Sequence, residues 1–115
     1  KGVPTVGTVH QRRMDTGKHI RGFADALADV RNKPEVYDLL FAILTPRERE
    51  EIALRWRLVL LLAAGMTQHA VAAELGVSLC KITRGARELK TGPAGFRKVV
   101  ARVVSRRTAR RQGEK

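Results

Sequence analysis

Thr83, Arg84 and Arg87 bring a hydroxyl and two guanidinium groups into one short stretch, a set suited to base edges and backbone phosphates. Leu79 and Cys80, just ahead of them, form an apolar tip that can meet thymine methyls. Such contacts read a sequence only if a rigid element holds them. Residues 66–90 predict one: two short helices joined by a tight turn, the build of a helix-turn-helix. Val71, Leu75, Val77 and Ile82 are apolar where that unit needs an internal seam, and Ala72 keeps the helices close. Gly76 falls where the first helix must stop, in a left-handed conformation that glycine adopts at low cost. Ser78 can cap the second helix, which leaves Leu79, Cys80, Lys81, Thr83, Arg84 and Arg87 mostly on its outer face. An ordinary helical hairpin uses the same glycine stop. The seam together with the basic outer face favours DNA reading.

Gly85 raises a second kind of chemistry. It lies inside the second helix at a seam position where Ile or Val is usual, and a mid-helix glycine costs ~1 kcal/mol against alanine. Its backbone therefore expects a close neighbour, either another helix or a small molecule. Arg84 beside it presents a forked cation for a carboxylate. Lys81, Arg84 and Glu88 are spaced to share one helix face, and Arg84 and Glu88 can pair as i,i+4 neighbours. Alternatively, Glu88 meets a ligand's ammonium group. Catalysis is not expected. His10, His19 and His69 fall in the N-terminal arm, the first helix and the reader, with no nucleophile or metal-ligand pattern nearby.

The remaining elements must position these groups. Residues 1–15 lack periodicity and contain Gly2, Pro4 and Gly7, which predicts a mobile arm. From Thr16 onward, Ile20, Phe23, Leu27 and Val30 recur at three- and four-residue steps, an amphipathic helix ended by Asn32-Lys33-Pro34. Pro34 suits the first turn of a second helix with Val36, Leu39, Leu40 and Ile43 inward. Thr45-Pro46-Arg47-Glu48 is a strong start for a third, with a capping box between Thr45 and Glu48. That helix is expected to reach about Ala64, closed by Gly65, and its apolar residues go nearly all the way round. A helix apolar on every side is buried on every side, which in so small a chain points to the middle of a dimer. After Thr91-Gly92-Pro93, Phe96, Val99, Val100, Val103 and Val104 predict a last helix that dissolves into a basic tail. The expected organisation is an arm over 1–15, a helical domain over 16–104 containing the helix-turn-helix over 67–90, and a tail over 105–115.

A length of 115 residues fits one domain. Aromatic residues make up only 4%, so the core must come from Leu, Val, Ile and Ala, and a second copy often completes such a core. The net charge of +12 is uneven. Residues 97–115 hold eight Lys/Arg against one acid, residues 1–22 five against one, and residues 23–45 two against four. Basic ends around a near-neutral middle suit a polyanion such as DNA or RNA, although solvated tails give the same pattern. The tail beyond Val104 is expected to add phosphate contacts without sequence information, or else to be simply solvated. One cysteine rules out an intrachain disulfide or a cysteine metal cage and fits a reducing cytoplasm. The longest apolar run, Leu58 to Gly65, is too short to cross a bilayer, and neither a membrane partner nor a secretory signal is expected.

The order of elements and several local words resemble the tryptophan repressor family. The words are Leu44-Thr45-Pro46-Arg47-Glu48-Arg49-Glu50, Gly65-Met66-Thr67-Gln68, Glu74-Leu75-Gly76, Ile82-Thr83-Arg84-Gly85 and Leu89-Lys90. They cover residues 40–93, with a looser helical match back to Thr16 and forward to Val104. The resemblance implies an all-α fold of about six helices. It also implies an intertwined homodimer that binds double-stranded operator DNA when L-tryptophan is present as corepressor, with no other cofactor. Arginines at the positions of Arg55 and Arg84 would sandwich the indole ring and Thr45 would contact the carboxylate. Backbone near Leu44 of the partner subunit would hold the amine. Lys81, Gly85 and Glu88 complete the expected ligand set. Read without the family, Arg55 is a surface charge, Thr45 only a cap and Gly85 only a close helix crossing.

The family has a threonine where this chain has Lys81 and a serine where it has Glu88. The expected DNA-binding set is Gln68, His69, Ser78, Leu79, Cys80, Thr83, Arg87 and Lys90. Gln68 and Thr83 match the family. His69 and Ala72 replace longer basic residues, and Leu79 and Cys80 replace other apolar or small ones, so the operator should differ from the best-known family sites. The function implied is a sequence-specific, cytoplasmic transcriptional repressor gated by L-tryptophan. The alternative is a constitutive, effector-free basic protein that binds nucleic acid or the nucleoid.

Overall fold

The computed structural model describes residues 13–113, which form six α-helices and no strand. In chain order these are α1 (Thr16–Ala28), α2 (Lys33–Ile43), α3 (Pro46–Ala63), α4 (Gln68–Leu75), α5 (Leu79–Thr91) and α6 (Ala94–Gly113). The chain divides into two compact units, residues 1–43 and 44–115, and all the expected DNA and ligand residues belong to the second. Most of the expected N-terminal arm, with His10, lies outside the described residues.

In the first unit, Asp15 opens α1 by accepting a hydrogen bond from the Lys18 N–H at 3.1 Å. The helix stops at Ala28, ahead of the predicted Asn32–Pro34 boundary. Asn32 starts α2 rather than ending α1: its Oδ1 accepts from the Glu35 N–H at 3.0 Å, and Glu35 Oε1 accepts from the Arg31 N–H at 3.2 Å. A short amide side chain competes with helix interior by bonding nearby backbone, so it is worth more as a cap than as a helix end. Phe23, Leu27, Val30, Val36, Leu39 and Leu40 are half-buried, whereas Ile20 and Ile43, both expected inward, are 60% and 57% exposed. Ile20 flanks the stripe of Phe23, Leu27 and Val30 on α1, and Ile43 is the last residue of α2.

The second unit begins with the capping box as predicted. Thr45 Oγ1 accepts from the Glu48 N–H at 3.2 Å, Glu48 Oε1 accepts from the Thr45 N–H at 2.9 Å, and Pro46 opens α3. After Ala63 the N–H groups of Gly65 and Met66 return to the carbonyls of Leu62 and Leu61, which closes the helix. Leu58, Val59 and Leu60 are buried, but Ile52 is 47% and Trp56 38% exposed. Burial on every side is therefore not reached within one chain. The C-terminal half of α3 packs against α4, α5 and α6, while its N-terminal half stays largely exposed.

Val71 from α4, Ile82 from α5 and Val100 from α6 are fully buried and join Leu58–Leu60 in one apolar cluster. Burying such a side chain is worth ~1.5–3 kcal/mol, so this cluster is what fixes α5 against the rest. Leu75 and Val77 pack half-buried beside it, and the predicted seam is present. Gly76 takes φ +66°, and its N–H and that of Val77 both return to the Ala72 carbonyl, at 2.9 and 3.3 Å.

The cap expected of Ser78 is only half there. Its backbone is in the N-cap conformation, but its side chain makes no cap bond. Leu79, Cys80 and Lys81 at the start of α5 are exposed, so water can satisfy their N–H groups. Thr67, by contrast, caps α4 through the Ala70 N–H at 3.1 Å.

The last helix also differs from expectation. It continues to Gly113 instead of dissolving after Val104, because Arg, Ala and Gln are good helix formers and no proline interrupts them. No helix of the described residues is long and apolar enough to cross a membrane.

Candidate DNA-reading face and effector pocket

With Ile82 buried, α5 turns the opposite side outward. Gln68, His69, Ser78, Leu79, Cys80, Thr83, Arg87 and Lys90 are all exposed. Leu79, Cys80, Thr83 and Arg87 line one open groove along α5 together with Arg84 and Glu88. Gln68 joins them from α4, because Thr83 Oγ1 donates to Gln68 Oε1 at 3.0 Å. That bond ties the first residue of α4 to the middle of α5 and helps hold the angle between them. His69, Ser78 and Lys90 lie outside the groove. The Cys80 thiol is free and exposed.

Residues of α3, α5 and α6 surround a cavity of about 350 Å³. Arg55, Lys81, Arg84, Gly85 and Glu88, all expected in a ligand site, line it. Leu54, Leu58, Val59 and Phe96 add an apolar wall and Glu51 a second carboxylate. Glu51, Leu58 and Val59 stand four before, three after and four after Arg55, so the helical period could have found them. Phe96 lies beyond a Gly-Pro turn and carries no such signal.

Two expected ligand residues, Leu44 and Thr45, are not part of this lining. The Thr45 hydroxyl caps α3, and the Leu44 carbonyl accepts from Arg49 Nη1 at 3.0 Å.

Gly85 faces both Leu58 and the cavity. A Cβ placed there would run into Leu58 Cδ2, so the glycine serves a close crossing of α3 and α5, and it lines the cavity as well. Arg55 reaches Glu51 Oε1 at 3.4 Å, with side chains 71% and 54% exposed. Among the described residues no ion pair joins Arg84 to Glu88. Glu ahead of Arg is the favourable i,i+4 order and Arg ahead of Glu the weaker one. The Glu88 carboxylate lies instead over Gly92, where an added Cβ would stand 2.6 Å from Oε1. Arg84 and Glu88 are the two residues that border both the cavity and the outer groove.

Residues 18–104, from α1 into α6, match the Trp repressor protein family. The chain belongs to that family. It is also 46% identical over 59 residues to the Trp operon repressor homolog of Chlamydia caviae, a match covering 50% of this chain and 58% of that relative. Members of the Trp repressor family are regulatory DNA-binding proteins rather than enzymes. The family match contains the capping box of α3, the helix-turn-helix and the cavity, and it stops at Val104, part-way along α6. Among the described residues no cluster of three His, Cys, Asp or Glu side chains is placed to hold a metal ion.

Proposed function

We propose that this chain is a DNA-binding transcriptional repressor that works in the cytoplasm as a homodimer on operator DNA, gated by L-tryptophan. The observation that carries the reading is the double position of Arg84 and Glu88, which border both the effector cavity and the DNA-reading groove. Whatever draws those side chains inward also resets the outer face of α5.

The lining has the chemistry for an aromatic amino acid. Leu54, Leu58, Val59 and Phe96 suit a ring, Arg55, Lys81 and Arg84 suit a carboxylate, and Glu88 suits an ammonium group. A volume of about 350 Å³ lies at the lower end of small-molecule sites. In a dimer the two α5 helices must enter successive major grooves, about 34 Å apart along the duplex. The Thr83–Gln68 bond lets α4 and α5 move as one piece toward or away from that spacing. A coupling of ~1–3 kcal/mol, typical of effectors, is enough to switch occupancy. Exposed Ile52 and Trp56 on α3 support a second copy as the partner.

The deciding experiment is calorimetric titration with L-tryptophan without DNA, followed by selection of operator sequences with and without it. Saturable heat near one ligand per chain and tryptophan-dependent, sequence-specific binding are expected. No heat, with salt-dependent binding indifferent to sequence, would overturn the proposal in favour of a constitutive nucleic-acid-binding protein.

A further inference from the structure

The last nine residues of α6 lie outside the family match and outside the core. Up to Val104 the helix is anchored by Phe96, Val100, Val103 and Val104. Past that point the inward stripe continues at the positions of Arg107 and Arg111, and every residue from Ser105 to Gly113 is exposed. The whole of α6 holds seven Lys or Arg and no Asp or Glu. Lys98–Arg102, Arg102–Arg106, Arg106–Arg110 and Arg107–Arg111 are like-charged i,i+4 pairs, each destabilising a bare helix by ~0.2–0.5 kcal/mol. Only the last-turn pair, Arg110 and Arg111, gains from the helix dipole. A polyanion would turn that repulsion into attraction.

We infer that residues 105–113 form a second, sequence-independent contact with duplex DNA, an arginine helix laid along the phosphate backbone beside the site read by α5. The choice of DNA rests on the function proposed above, because α5 and α6 belong to the same compact unit and Arg97 Nε, donating to the Gly92 carbonyl at 3.1 Å, braces their junction. A membrane surface fits less well. Residues 105–113 offer no apolar side chain but that of Ala109 to bury among lipids, whereas an interfacial helix needs an apolar face. Arg106–Arg107 and Arg110–Arg111 stand four residues apart, ~6 Å along the helix, and so present two pairs of forked donors in succession.

The test compares the full chain with a variant carrying R106Q, R107Q, R110Q and R111Q, using a duplex of mixed sequence and reading affinity against salt. Glutamine keeps the helix, which circular dichroism can verify. The slope of log affinity against log salt should become shallower by about 2–4, since each phosphate neutralised contributes about 0.9. Arginine-to-lysine replacement at the same four positions should preserve the slope. An unchanged slope in the glutamine variant overturns the inference. A larger loss on folded RNA than on duplex DNA, or a loss confined to anionic vesicles, overturns it too.

The same comparison in a background carrying T83A and R87A separates this contact from the repressor reading. A slope difference that persists there, with no specific operator found for the unmodified chain, supports the tail contact and sinks the repressor. Specific, tryptophan-dependent binding with an unaltered slope sinks the tail contact alone.

Discussion

At Gly85, packing and binding make demands on the same few atoms. A methyl there would meet the tip of Leu58, a side chain only 3% exposed whose free space is the cavity it lines. Gly85→Ala gains ~1 kcal/mol of helix propensity, so overpacking of comparable size leaves stability within ~1 kcal/mol of the parent. The displaced Leu58 should instead fill the ligand space, and affinity for L-tryptophan should drop at least tenfold by calorimetry. Undiminished affinity would mean that Leu58 retreats elsewhere and that Gly85 serves only the helix crossing. One turn ahead of Arg55, Glu51 competes with any ligand carboxylate for the same guanidinium. The pair is exposed, so Glu51→Gln should shift a urea melt by less than ~0.5 kcal/mol while tightening tryptophan binding. Weaker binding would assign Glu51 to the ligand's ammonium group.

The helix-turn-helix was legible because its determinants are local: a glycine stop and a seam of four apolar residues within a short stretch. Three features were not. Asn32 reads equally as a stop or a start, and only the Glu35 N–H bond decides between them. The apolar stripe of α6 ends at Val104 and suggests a helix end there, although arginine and alanine propagate a helix without burial. The cavity's second carboxylate and much of its apolar wall follow not from Arg55 alone but from the face of α3 it shares with Glu51, Leu58 and Val59. The caps yield a contrast that bears on how α5 is held. Thr67→Ala removes the bond to the Ala70 N–H and should cost about 1 kcal/mol, whereas Ser78→Ala removes no bond and should be near neutral in the same melt. An equal loss in both would restore a capping hydroxyl to Ser78.

For the whole molecule, the open question of partner number can be read from its single tryptophan. Trp56 is 38% exposed in one chain and stands one turn after Ile52, itself 47% exposed, on a helix whose other half is the centre of the core. If a second copy covers that face, Trp56 emission should be blue-shifted at high protein concentration and move to the red on dilution as the dimer dissociates. Ile52→Glu places an unpaired charge on the same face and should yield a monomer in sedimentation. Because Ile52 contributes nothing to the Val71–Ile82–Val100 cluster, the second unit should keep its helical content in that monomer. Its DNA binding should then lose sequence preference while retaining salt dependence, since one reader helix cannot measure the spacing of two half-sites. A monomeric parent with concentration-independent emission would remove the dimer from the proposal. In that case one α5 helix and the arginines of α6 would have to supply all the contacts to DNA.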